Sequence, residues 1–222
     1  MRIGLEFSKT GSAKYISHLD LQRAFSRAIR RSGLPVKLSE GFNPHYTVSF
    51  ASALSLGIES DCECVEMVVA QHITPDQFLM DIARALPPGL LAKRAVRLKD
   101  NAPKLMAALC EAEYTIPLAH QKVELVESCV ESILSRSEVK GIKVSGGVEK
   151  EIDIRAMIVS LEVTQGSLNM RLMASPTQTL KPSILLDVIE KETGPLGGQL
   201  KRTALYTLKD GIAVDLLSAF AV

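Results

Sequence analysis

The residues best placed to do chemistry lie near the front of the chain. Arg23, Arg27 and Arg30 recur at i, i+4 and i+7, with Arg31 beside them. On a helix that spacing makes one row of guanidinium groups, each able to pair with successive phosphates of a nucleic acid. The alternative is a solvated face, in which Asp20 pairs with Arg23 and the last arginines complement the helix dipole. Neighbouring segments add Arg2, Lys9, Lys14 and Lys37. The loop Glu40-Gly41-Phe42-Asn43-Pro44-His45 combines turn formers with Phe42 and His45, two residues that a purely connecting loop does not need. Two readings stay open for it. Either Phe42 plugs a sheet edge and a backbone carbonyl satisfies His45, or the loop is a recognition element beside the arginine helix. The nucleic-acid-binding set is therefore Lys14, Arg23, Arg27, Arg30, Arg31, Phe42, Asn43 and His45.

Two histidines also suggest catalysis. His18 opens the arginine helix and His45 sits in the loop, so metal-independent acid–base cleavage of RNA is chemically conceivable. It would require the two to converge, which spacing alone does not dictate. A second constellation, Asp153, Arg155 and Arg202 with Glu151, suits either a structural ion-pair network or a ligand or partner contact. No metal set is expected: Cys62 and Cys64 form a C-x-C in an apolar run, and Cys110 and Cys129 lie far away. The cysteines read as small buried thiols. No nucleophile elbow, P-loop, H-E-x-x-H or dinucleotide fingerprint occurs, and no cofactor is expected.

The elements that must carry these residues follow from periodicity. Arg2–Lys9 alternates as a strand. Ser17-His18-Leu19-Asp20 has the spacing of a capping box, and Leu21, Ala24, Phe25, Ala28 and Ile29 form one apolar stripe ended by Gly33 and Pro35. Extended stretches at Val36–Leu38, Thr47–Ser52 and Cys62–Ala70 follow. A Thr74-Pro75 helix start and a strand at Leu91–Leu98 come next. The order β-α-β-β-α-β is that of a ferredoxin-like unit. A second set comprises a strand at Glu111–Leu118, a helix at Val123–Leu134, a strand-rich stretch over 139–174, a helix opened by Pro182 and a strand at Arg202–Leu208. The stretch 139–174 has room for an extra hairpin. The expected fold is α+β: two tandem ferredoxin-like units, residues 1–103 and 104–222, antiparallel sheets with helices on one face.

Composition bounds the function classes. The chain has 222 residues and a formal net charge of +1, but its first fifty hold eight basic residues against three acidic ones. The front end is thus at +5 and the remainder at −4. No 18-residue apolar run supports a membrane span, and the start lacks the pattern of a secretion signal. A cytoplasmic location is expected. Trp is absent and aromatics are only 5%, which weakens the case for a broad base-stacking surface.

The segments F-S-K-T-G-S-A-K-Y-I-S-H-L-D-L-Q-R-A-F-S-R-A-I-R-R-S-G-L-P, S-E-G-F-N-P-H and S-F-A-S-A-L-S-L-G-I-E-S resemble the radical SAM-linked proteins, a bacterial domain of unknown function. E-I-D-I-R and R-T-A-L-Y are similar to later motifs of that family. The resemblance implies a protein encoded beside a radical SAM enzyme, or fused to its C-terminus, with ribosomal and ribonuclease G genes as frequent neighbours. Tyr46 stands where that family usually has a second proline, and Ala53 and Ser55 replace prolines further on. The chain has no C-x3-C-x2-C, so it lacks the usual ligands of the radical SAM cluster. The functional expectation is a non-catalytic accessory protein that presents an RNA, tRNA or rRNA, to a radical SAM partner. The rivals are a protein–protein adaptor docking that enzyme without RNA, and an RNA-processing enzyme using His18 or His45.

Overall fold

The computed structural model describes residues 1–222, the side chain of residue 145 apart. It is a mixed α+β structure with few helices, and its pairings along the strands Arg2–Lys9 and Glu111–Pro117 are antiparallel. The chain divides into two units: Met1–Leu109 together with Ala204–Val222, and Cys110–Thr203. The sequence predicts two consecutive units divided after residue 103; here the first segment runs to Leu109, and Ala204–Val222 group with it. The C-terminal residues belong to the first unit, because their hydrogen bonds and apolar side chains are used there.

In the first unit the elements are β1 (Arg2–Lys9), α1 (His18–Ser32), β2 (Val48–Phe50), β3 (Glu59–Val68), α2 (Pro75–Ala85), β4 (Leu90–Leu98) and the single turn α3 (Leu105–Ala108). β1 lies between β3 and β4, and β2 pairs with β3, giving the order β4-β1-β3-β2. Ile3, Leu5 and Phe7 alternate onto the face that meets Val65 and Met67 of β3, Phe25 and Ile29 of α1, and Phe78 and Ile82 of α2. Ser17 accepts the Asp20 N–H as the α1 cap, and Gly33 ends the helix at φ +67°, where a side chain would be strained. Thr74 caps α2 in the same way, accepting the Gln77 N–H.

Phe7, Phe25 and Phe50 form one aromatic cluster, with ring centroids 4.9 Å apart for Phe7–Phe25 and 5.2 Å for Phe25–Phe50. It ties β1, α1 and β2 together. Val36–Leu38 makes bridges rather than a full strand. Leu38 pairs with Tyr46 and Val36 with Val69, so residues 36–48 form a hairpin arm on the edge of the sheet. Lys37 N–H donates to Val68 O at 2.7 Å and Thr47 N–H to Lys37 O at 2.8 Å, which fixes the arm's register.

The second unit holds β5 (Glu111–Pro117), α4 (Val123–Ser135), β6 (Lys140–Ser145), β7 (Val148–Asp153), β8 (Ile158–Thr164), β9 (Ser167–Met173), α5 (Pro182–Thr193) and the first residues of β10 (Lys201–Lys209). β9 lies between β5 and β8, while β6 and β7 form a separate two-stranded ribbon. The ribbon is the additional hairpin for which 139–174 had room. The rest of β10 and β11 (Ile212–Asp215) return to the first unit. There Lys99 N–H donates to Phe220 O, and Leu217 packs over Gly4 so closely that an added Cβ would come within 2.7 Å.

Phe25→Ala should destabilise the protein by about 3–5 kcal/mol in urea unfolding. A loss below about 1 kcal/mol would contradict the aromatic cluster as the anchor of α1.

Candidate nucleic-acid interface

The apolar stripe of α1 decides where its arginines go. Leu21, Phe25, Ala28 and Ile29 are buried, so Arg23, Arg27 and Arg30 are turned outward and exposed. They do not face open solvent alone. Together with Ser26 they form one wall of a cleft of about 540 Å³, whose opposite wall is Leu38, Pro44, His45 and Tyr46 of the arm. The helix row and the unusual loop, which sequence spacing could not relate, thus share one cavity. No carboxylate lines it.

Charge within the cleft is unevenly committed. Arg23 Nη1 donates to Asp20 Oδ1 at 2.9 Å. Hydrogen bonds from the Ser17 hydroxyl and from Arg23 hold the Asp20 carboxyl below its ordinary range, so it stays ionised and neutralises Arg23. The Arg27 and Arg30 side chains make no hydrogen bond or salt bridge among the described residues. Two cations are therefore left for a ligand.

The other expected residues are distributed as follows. Arg31, one position past Arg30, turns away; its Nη2 donates to Ala85 O at 2.5 Å, closing the end of α2. Lys14 lies 3.7 Å from Glu59 and over the Tyr15 ring, and it does not line the cleft. Phe42 is fully exposed at the tip of the arm, neither plugging the sheet edge nor lining the cleft. Asn43 O lies 3.4 Å from His45 Nδ1. Ser39 Oγ lies 2.9 Å from the same nitrogen and accepts the His45 backbone N–H at 3.1 Å, so Ser39 clasps the loop shut. Tyr46 and Leu38 were not singled out from sequence, although Tyr46 marks the departure from the proline usual in the resembling family.

The two histidines lie in different surroundings. His45 lines the cleft; His18 packs its ring on Phe50 at 5.4 Å, with Nε2 3.2 Å from Gln22 and Nδ1 buried without a hydrogen-bond partner. His18 is not among the cleft-lining residues, so the cleft does not bring together the pair that acid–base cleavage would need.

In the second unit, Asp153 accepts the backbone N–H groups of Val139 and Arg155, at 2.9 and 3.0 Å. Those bonds hold its carboxyl below the usual range. Arg155 reaches Leu134 O at 3.2 Å. Arg202 is buried and donates to Tyr114 Oη at 3.1 Å. Asp153 and Arg155 brace a turn, and Glu151 pairs with Lys140 at 2.8 Å. Burial pushes the Cys64 thiol well up, and burial together with Glu192 pushes that of Cys129 up to about 11. Neither is a ready thiolate nucleophile. Among the described residues no three His, Cys, Asp or Glu side chains are grouped to hold a metal ion.

Fold and cleft together describe a mixed α+β protein with a cationic cleft on the helix face of its first unit. The chain belongs to a family of uncharacterized proteins conserved in bacteria (DUF2344), whose model matches residues 2–182. No curated protein matches it. The family description carries neither activity nor partner, and it does not show the radical SAM association that the sequence motifs imply.

Asp20→Asn keeps the side chain's shape and releases Arg23. Binding of inorganic triphosphate at low salt, followed by calorimetry, should tighten roughly two- to fivefold at pH 7. An unchanged affinity would show that Asp20 does not set the charge of the cleft.

Proposed function

We propose that this protein is a non-catalytic RNA-binding accessory protein, and that the cleft between α1 and the arm seats the RNA backbone. One observation carries the reading: Arg23, Arg27 and Arg30 face Pro44, His45 and Tyr46 across a cavity that contains no acid. Guanidinium forks suit phosphate oxygens, and the unpaired Arg27 and Arg30 need not break an internal bond to bind them. The +5 of the first fifty residues adds a longer-range field that attracts a polyanion.

The partner to which the RNA is presented is, in this reading, a radical SAM enzyme encoded nearby, with tRNA or rRNA as the ligand. That part rests on the motif resemblance alone. The fold is read as two tandem ferredoxin-like units. The order β4-β1-β3-β2 in the first unit supports this, as does the second unit's sequence β5-α4-β8-β9-α5-β10 once the β6–β7 ribbon is set aside as an insertion. Four free cysteines suit a reducing, cytoplasmic setting, and no helix is long and apolar enough to cross a membrane.

Fluorescence anisotropy with a short unstructured RNA at several salt concentrations tests the reading. Affinity should fall steeply with salt, and Arg27→Ala/Arg30→Ala should flatten the log–log slope by about 1.4, on the basis of about 0.7 per single-strand phosphate contact. The melting temperature should not change, because both side chains are exposed and unpaired. Absence of binding at low salt would overturn the reading and leave the basic face to an acidic protein surface.

A further inference from the structure

The arm has a second cleft, of different chemistry. His45 and Tyr46 line the arginine cleft and also a cavity of about 400 Å³ that includes Arg2, Ser39, Thr47, Ser49, Glu66 and Lys104. All of these residues lie in the first unit. Strand alternation explains why the two clefts differ. Tyr46, Val48 and Phe50 pack toward the helix-side core, whereas Thr47 and Ser49 alternate to the other face, and Ser49 pairs with Glu66 in register.

The second cleft is nearly neutral at its floor. Arg2 donates to the Glu66 carboxylate and to the backbone oxygens of Ala102 and Pro103, so its charge is balanced and its guanidinium is held in place. A second phosphate would meet Glu66 there and gain little. The Thr47 and Ser49 hydroxyls have no protein partner among the described residues and offer donors and acceptors to a neutral polar group. Lys104, exposed, supplies one cation without an ion pair among the described residues.

A ligand that alternates anionic and neutral hydrogen-bonding parts matches this pair of clefts, and a nucleic-acid strand is such a ligand. We propose that the Thr47–Ser49–Glu66 cleft is a nucleoside subsite, receiving an unpaired base and its ribose from the strand whose phosphates lie on Arg27 and Arg30. The substrate class is therefore single-stranded RNA, since a paired base cannot leave the stack to enter without cost. Recognition there is by hydroxyls and the Arg2–Glu66 pair rather than by a broad aromatic platform, in keeping with the scarcity of aromatics. This proposal rests on the RNA-binding reading of the arginine cleft.

The test compares a uridine 12-mer with an abasic ribose–phosphate 12-mer and with a 12-base-pair duplex RNA, by anisotropy at fixed salt. The intact protein should bind the uridine strand about tenfold more tightly than the abasic strand, as expected for hydrogen bonds of the base to hydroxyls and a charged pair. Thr47→Val/Ser49→Val, which keeps strand-forming side chains, should shrink that preference several-fold while leaving the salt slope unchanged. Arg27→Ala/Arg30→Ala should do the reverse, flattening the slope and keeping the preference. Equal binding of uridine and abasic strands, a preference untouched by the hydroxyl variant, or tighter binding of duplex would each overturn the subsite while leaving RNA binding intact. No binding of any RNA at low salt would overturn both.

Discussion

The contact among Phe7, Phe25 and Phe50 governs the rest of the first unit. Phe25 and Phe7 are fully buried, and Phe50 stands nearly edge-on to both. Tilted and edge-on pairs of this kind add about 0.5–1.5 kcal/mol each beyond the burial itself. Their positional effect matters more than their energy. Successive residues of a helix are about 100° apart, so Phe25 in this cluster leaves Arg23, Arg27 and Arg30 no choice but the outward side. Phe50 holds β2 to the same cluster, and β2 continues from the arm that forms the opposite wall. Both sides of the cleft are thus referenced to one knot of rings.

Electrostatics separate the arginines of the cleft from the basic residues elsewhere in the unit. Arg94 bridges Glu6 and Asp215 at 2.7 and 2.8 Å, Arg2 is committed to Glu66, and Lys14 lies near Glu59. Burial alone would raise the Asp215 carboxyl, but hydrogen bonds from Ser218 and Arg94 outweigh it and hold it low. These cations are consumed in holding the fold. Arg27 and Arg30 are not, and exposed arginines without partners cost the fold little. Their arrangement is explained by a ligand more readily than by stability.

Local signals in the sequence were strong wherever a single element was concerned. Ser17 with Asp20, the stripe from Leu21 to Ile29, Gly33, and Thr74-Pro75 marked α1 and α2 because caps and periodicity act within a few residues. What could not be read were long-range returns. The passage of residues 204–222 back to the first unit depends on Leu217 meeting Gly4 and on Lys99 meeting Phe220, contacts more than a hundred residues apart. Arg31 looked equivalent to Arg30 by composition, yet one residue of helical rotation delivers it to Ala85. The arm is the most instructive case. Its turn residues were legible, whereas its placement across from the arginines is set by Lys37 and Thr47 pairing with Val68, which no local pattern encodes.

The proposed function places one RNA strand between α1 and the arm. Amide correlation spectra of nitrogen-15-labelled protein, recorded during titration with a short unstructured RNA at low salt, test it most directly. The predicted result is a set of shift changes concentrated at residues 23–30 of the helix and 38–46 of the arm. Changes confined to the second unit, or no changes at saturating RNA, would contradict it.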